Sequence, residues 1–424
     1  MRFKIETLGC KVNQYESAAV ATLLTERGHT HAADGELCDA VILNTCAVTG
    51  EAARKSRQAA RRLLGDNPDA VLAVCGCASE IEPKWASECG AKLVYGAHDR
   101  LGFADALDKL MSGGETAREI ADSGVFELLP AAVDSSRTRA SLKIEDGCDN
   151  FCAYCVIPYA RGRVRSMPLA DIAAQAKQLA EQGYREIVVT GIEIASYGKD
   201  MERTTLLNAL YEIEDAAPDV RIRLSSLEPT AINAVSTAYF GTMAHLAPHF
   251  HLSLQSGCDA TLKRMRRKYD TERFLWSVQM LRNKFDNCGI TADLIVGFPG
   301  ETDEEFAQTL EFLRKCAFSA VHVFPYSKRA GTLAASMAGQ LSNAVKSERA
   351  KLARDAAAET RAAFLNAQVG KTLTVLFETE RDGTAHGHSG NYLEVTAHGA
   401  SRGEMRRVVV ERVEGDVLSG KIAE

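Results

Sequence analysis

Strand-like and helix-like segments alternate in two long series along this chain, and that alternation excludes most architectures. From residue 1 to about 112 the order runs FKIETLG, ESAAVATLLTERG, DAVILNT, EAARKSRQAARRLLG, AVLAVCG and KLVYGA. Strands separated by helices of this length imply a parallel sheet with helices on both faces. A second series holds ASLKIEDG, EIVVTGIE, RIRLSSLE, HFHLSLQ, ITADLIVGF and AVHVFPYS, with helical stretches such as LADIAAQAKQLAEQG and DEEFAQTLEFLRKC between them. Six βα units predict a partial (β/α)6 barrel rather than a closed eight-unit one. Residues 113–139 lack periodicity and carry Gly, Ser and Pro, as a connection between domains does. A helical run from about Ser342 to Leu365 ends the second series. Beyond Gly370, TLTVLFE, YLEVTA, MRRVVVERV and VLSGKIA predict a small antiparallel β-barrel of oligonucleotide-binding type. The fold expected is α/β, with domains at 1–112, 140–367 and 368–424 and a linker at 113–139.

In such sheets ligands gather beyond the carboxyl ends of the strands. Cys10, Cys46 and Cys77 each fall just after a predicted strand of the first series. Cys148, Cys152 and Cys155 follow the first strand of the second, in GCDNFCAYCVIPYARGRVRS. The opening MRFKIETLGC enters strand-like alternation at once, unlike a signal peptide, and no apolar run approaches the ~18 residues of a membrane span. The expected location is therefore cytoplasmic, with no membrane partner. Thiols stay reduced there, so the 12 cysteines argue for metal or catalysis before disulfides.

Three thiolates leave one iron of a four-iron cluster without a protein ligand, free to chelate the amino and carboxylate groups of S-adenosylmethionine. A zinc site falls short on ligand count, because the nearest histidines, His98 and His245, are far away in sequence. Inert buried cysteines are hard to arrange in a loop marked by Gly147, Asp149 and Asn150.

The blocks GCDNFCAYCVIPYARGRVRS, TGIEIASYG, RLSSLEP, HLSLQSGCD, LKRMRRKY, LIVGFPGET and FPYSKRAGT stand in this order, preceded by LGCKVNQYES, NTCAVT and GCA. Over essentially its whole length the chain resembles radical S-adenosylmethionine enzymes, specifically the methylthiotransferases. The resemblance implies two [4Fe-4S] clusters: a catalytic one on Cys148, Cys152 and Cys155, and an auxiliary one on Cys10, Cys46 and Cys77. Cys75, in CGC, is a second candidate for the third auxiliary ligand; the position of the family glycine favours Cys77. Also implied are S-adenosylmethionine, as methyl donor and as radical source, a sulfur source feeding the auxiliary cluster, and an external electron donor.

For S-adenosylmethionine the resemblance points to Gly191 and Glu193 at the methionyl amino group, Ser225 and Glu228 at the ribose, and Gln255 after the fourth strand. Arg267 would clasp a carboxylate or phosphate. Asp293 and Phe324 lie on the fifth and sixth strands, Phe324 packing against adenine, and Tyr154 would shield the cluster from water. His251 reads as a satisfied barrel histidine, and Cys38, Cys89, Cys258, Cys288 and Cys316 as apolar fillers.

The last domain resembles the TRAM module, an RNA-binding barrel. A net charge of -6 gives the protein no overall attraction to nucleic acid, so binding must use local patches. Asn391, Tyr392, Arg406 and Arg407 are the candidates there. Arg161, Arg163 and Arg165, with the basic run RKSRQAARR, would meet the phosphates of a tRNA anticodon loop at the rims of the cluster sites. CAYCVIPYARGRVRS, RLSSLEP and HLSLQSGCD most resemble the enzymes that methylthiolate C2 of N6-threonylcarbamoyladenosine at position 37. Isopentenyladenosine in tRNA and a ribosomal-protein aspartate are the alternative substrates. Two rival classes are an RNA-binding protein with structural clusters, and a radical enzyme whose auxiliary cluster only relays electrons.

Overall fold

The computed structural model describes residues 1–33, 35–115, 124–131 and 137–423. Five strands, β1 (Arg2–Thr7), β2 (Thr30–His31), β3 (Ala40–Thr45), β4 (Val71–Gly76) and β5 (Leu93–Val94), form one parallel sheet in the order β2-β1-β3-β4-β5. β3 is buried at every position, as a strand covered on both faces must be. Leu72 and Val74 point to the face under the helix Gly50–Asp66, with Trp85. Ala73 and Cys75 point to the opposite face, with Phe3, Ile42 and Phe103. Gly76 breaks this alternation: its φ is 104°, and a Cβ there would stand 2.5 Å from the Thr45 carbonyl. The chain turns at that point, and Cys77 packs with the first face.

The central strands are β6 (Arg139–Lys143), β7 (Glu145–Asp146), β8 (Arg165–Ser166), β9 (Glu186–Thr190), β10 (Arg221–Leu224), β11 (His249–Gln255), β12 (Gly289–Val296) and β13 (Ala320–Pro325). Two parallel sheets, β10-β9-β6 and β11-β12-β13, meet through the bridges Ile222 to Leu246 and Leu227 to Leu252, giving the six-strand arc expected from the sequence. β7 and β8 pair antiparallel and pinch the base of the loop that holds Cys148, Cys152 and Cys155.

β14 (Thr372–Arg381), β15 (Thr384–Ser389), β16 (Glu394–His398), β17 (Met405–Glu414) and β18 (Val417–Ile422) close into a barrel. β15 escapes the sequence reading because its inward positions are the small residues Ala385, Gly387 and Ser389, which give no apolar alternation. The barrel is also not wholly antiparallel, since β16 and β18 run parallel.

Of the expected linker, residues 116–123 and 132–136 lie outside the described residues. Its described middle is packed: Phe126 and Ala131 join the barrel core, and Leu129 lies against Tyr15 and Ala19. Among the described residues, no helix is long and apolar enough to cross a membrane.

Candidate functional site

Cys10 caps the helix Lys11–Glu26, Cys46 follows β3 and Cys77 follows β4. All three line one cavity of about 730 Å³. Gly9, at φ 108°, allows the close approach of Cys10 to Cys46: a Cβ on Gly9 would lie 2.7 Å from the Cys46 Cβ. Cys75 does not line that cavity. Burial pushes the Cys46 and Cys75 thiols up to about 11, and the Val48 N–H opposes the shift at Cys46.

The other three cysteines sit half-buried in the loop after β7. Burial pushes Cys148 and Cys155 up to about 12, opposed by the N–H groups of Asn150 and Ile157 aimed at the two sulfurs. Arg267 donates through Nη1 to Cys152 Sγ at 3.1 Å. Among the described residues, no three His, Cys, Asp or Glu side chains converge closely enough to hold a single metal ion. Two sets of three thiols, with N–H donors trained on the sulfurs, fit iron–sulfur clusters, whose corner ligands stand further apart.

Arg161, which is fully buried, ties Cys77 of the first set to Asp146, at the base of the loop that carries the second. Its Nε donates to Cys77 Sγ at 3.2 Å, Nη1 to Glu16 at 2.7 Å and Asp146 at 3.1 Å, and Nη2 to Asn13 at 2.9 Å. Lys143 adds bonds of 2.8 Å to Glu16 and 2.7 Å to Asp146, and Arg100 one of 3.1 Å to Glu16. This corrects the expectation that Arg161 and Arg165 meet RNA: every Arg161 donor is engaged inside the protein, and buried Arg165 donates to the Arg161 carbonyl at 2.9 Å. Only Arg163 of the three faces outward, 77% exposed, beside Asp149 and over the Phe151 ring. Composition hid this network, because a run of arginines reads as a solvated face. Asp146, next to the cysteine loop, and Glu16, in NQYES, were the available signals.

Near the loop, Glu193 and Glu228 form a buried carboxylate pair faced by Arg267, whose Nη2 is 3.5 Å from Glu228. Among the described residues, that Nη2 and the Ser225 hydroxyl are buried without hydrogen-bond partners, a polar lining that suits a zwitterionic cofactor. Tyr154 packs beside Met265 and Tyr326. Gly191, Ser225 and Asp293 line the cavity, and Asp293 stands 3.2 Å from His251, which also meets Thr291 at 2.8 Å and is thus satisfied. Gln255 ends β11 in a left-handed conformation, and Phe324 is 44% exposed on the edge strand β13.

Burial first, and the Glu228 charge second, push the Glu193 carboxyl up to about 7. Because its folded value lies above the ordinary 4.5, ionising it costs stability as pH rises from about 4.5 to 7. Glu193→Gln is therefore expected to stabilise the cofactor-free protein by about 2 kcal/mol at pH 8 and by less at pH 5. Thermal midpoints at the two pH values measure this, and an equal gain at both would refute the assignment.

The C-terminal barrel docks on the amino ends of the central strands. Arg221 and Arg223 donate to Glu186 at 2.5 and 2.6 Å, and their remaining N–H groups reach the carbonyls of Thr374, His388, Ser389 and Gly390. Tyr392 stacks on His249, with ring centroids 4.7 Å apart, and the Arg223 guanidinium stands 4.7 Å from its centroid. Asn391 is buried and bonded to Ser389, Asn287 and Gln368. Asn391 and Tyr392 are thus corrected from RNA contacts to docking residues, inserted into the barrel floor, while Arg406 and Arg407 stay exposed on β17.

The Radical SAM superfamily matches residues 142–313, and the Uncharacterized protein family UPF0004 matches residues 2–96. The Threonylcarbamoyladenosine tRNA methylthiotransferase MtaB of Bacillus subtilis (strain 168) is 39% identical over 403 residues, covering 93% of this chain and 89% of that protein. The tRNA-2-methylthio-N(6)-dimethylallyladenosine synthase of Thermoanaerobacter sp. (strain X514) is 32% identical, covering 100% and 93%. In fold, the chain is similar to the radical S-adenosylmethionine methyltransferase TsrM from Kitasatospora setae, with a TM-score of 0.58 at 15% identity, over 79% of this chain and 77% of that one.

Proposed function

This chain belongs to the radical S-adenosylmethionine tRNA methylthiotransferases, and on that premise we propose that it inserts a methylthio group at C2 of N6-threonylcarbamoyladenosine beside the anticodon. The observation that supports this reading best is the presence of two three-cysteine sets in one molecule, with a buried arginine bonded to Cys77 of one and to Asp146 at the base of the other's loop, in a chain with 39% identity to a threonylcarbamoyladenosine enzyme. Bound at these sites, two [4Fe-4S] clusters and S-adenosylmethionine supply the radical that removes hydrogen from the ring carbon and the sulfur that replaces it. The protein's own part is holding and orienting.

Cys148, Cys152 and Cys155 would hold the first cluster, and Cys10, Cys46 and Cys77 the second. Glu193 and Glu228 would receive the methionyl ammonium and the ribose, compensating two carboxylates that otherwise repel each other. Arg267, tied to Cys152 and Glu228, would orient the cofactor's carboxylate. Gly191, Ser225, Gln255, Asp293 and Phe324 would complete its surroundings, with Tyr154 shielding the loop. Among outward-facing cations, Arg163, Arg406 and Arg407 would meet RNA phosphates, with Arg54, Lys55, Arg61 and Arg62 on the helix Gly50–Asp66. Turnover requires a sulfur source and an external electron donor, and the work belongs in the cytoplasm, where tRNA is found.

Mass spectrometry of tRNA nucleosides from cells lacking this gene tests the proposal. The methylthio group is expected to vanish from threonylcarbamoyladenosine while the isopentenyl nucleoside keeps its own. The opposite pattern would transfer the chain to the isopentenyl substrate.

A further inference from the structure

The cavity that opens on Cys10, Cys46 and Cys77 continues into the barrel, past Lys11, to the floor formed by His249 and Tyr392. Its cations differ in one respect. Arg161 is neutralised by Glu16 and Asp146, and Arg361 by Asp416 at 3.1 Å. Lys11 has no carboxylate within ion-pair distance among the described residues, and Glu186, whose charge acts on it, is already held by Arg221 and Arg223. Lys11 is exposed to that cavity, where the charges of Arg139 and Arg223 oppose its own, and such an amine gains free energy when an anion arrives. Beside it, His249 is 4% exposed, has Nε2 on the Thr291 hydroxyl at 3.0 Å, and keeps a buried Nδ1 without a partner among the described residues. A hydroxyl-bearing ligand suits such a ring in either tautomer, because a hydroxyl both donates and accepts.

We infer that Lys11, with His249 behind it, is the recognition site for the carboxylate-bearing substituent of the target base. The inference rests on the substrate reading above and deepens it. Lys11 directly follows Cys10, so a base presented to the auxiliary cysteines lies beside this amine. The threonylcarbamoyl group carries a carboxylate and a hydroxyl; the isopentenyl group carries neither and would leave the amine unpaired. Discrimination between the two substituents thus falls to one charge.

The test uses cluster-loaded protein and synthetic anticodon stem-loops bearing N6-threonylcarbamoyladenosine or its methyl ester, with binding read by fluorescence anisotropy. Wild type is expected to bind the acid about tenfold or more tighter than the ester. Lys11→Met is expected to bind the two alike, with iron content confirming that its clusters are intact. The acid–ester comparison on wild type stands alone if the variant fails to load. Equal binding of acid and ester by wild type, or a preference retained by Lys11→Met, would overturn the inference while leaving the substrate reading intact. Tighter binding of an isopentenyladenosine stem-loop by wild type would overturn the substrate reading itself.

Discussion

Arg161→Leu is expected to cost about 3–5 kcal/mol, because it strips the central cation from a buried cluster and leaves Glu16 and Asp146 undercompensated. Although burial pushes the other way, Arg161, Lys143 and Arg100 hold the Glu16 carboxyl well below its ordinary range, and Lys143 with Arg161 does the same for Asp146. Carboxyls depressed in the folded state stabilise it above their unfolded values, near 4, and the contribution fades as pH falls further. The variant should therefore unfold on the order of 10 °C below wild type at pH 7.5, and the gap should close below about pH 4. Calorimetry at both pH values reads this directly. Midpoints within about 2 °C of each other at pH 7.5 would mean that the junction between the N-terminal sheet and the cysteine loop does not depend on this residue.

The second large effect separates two cysteines that sequence alone leaves in competition. Cys77→Ala should lose about four irons per chain and all methylthio insertion, yet still form 5'-deoxyadenosine from S-adenosylmethionine on reduction. Cys75→Ala should keep both the iron and both products, because its thiol lies on the far face of the sheet with Phe3 and Phe103. Iron analysis and nucleoside mass spectrometry on the two purified variants decide the matter. Loss of insertion from Cys75→Ala, with retention in Cys77→Ala, would reverse the ligand assignment.

What could be read in advance followed strict periodicity. AVIL in β3 and VLAVC in β4 are continuous apolar runs, and HFHLSLQ coincides with β11, residue for residue. The strands that precede Cys10, Cys46 and Cys77 likewise bring the three to one cavity, since loops after parallel strands gather at one edge of the sheet. β15 stayed hidden because packing against a tight barrel wall selects small residues over apolar ones. The fate of the arginines was hidden for another reason. A guanidinium's role depends on which carboxylates surround it, and Glu16 and Glu186 come from other elements. Hence ARGRVRS holds two inward arginines and one outward, a division no local pattern announces.

Gly76 carries a consequence out of proportion to its size. Side chains two positions apart along a straight strand share a side, so Cys75 and Cys77 would be equivalent if β4 simply ran on. One backbone rotation, open to a residue without a β-carbon, makes them unlike: one thiol packs with Phe3 and Phe103, and the other opens on the cavity with Cys10 and Cys46. Which sulfur reaches the cavity is thus written in the achiral residue between the two, and in neither of the cysteines themselves.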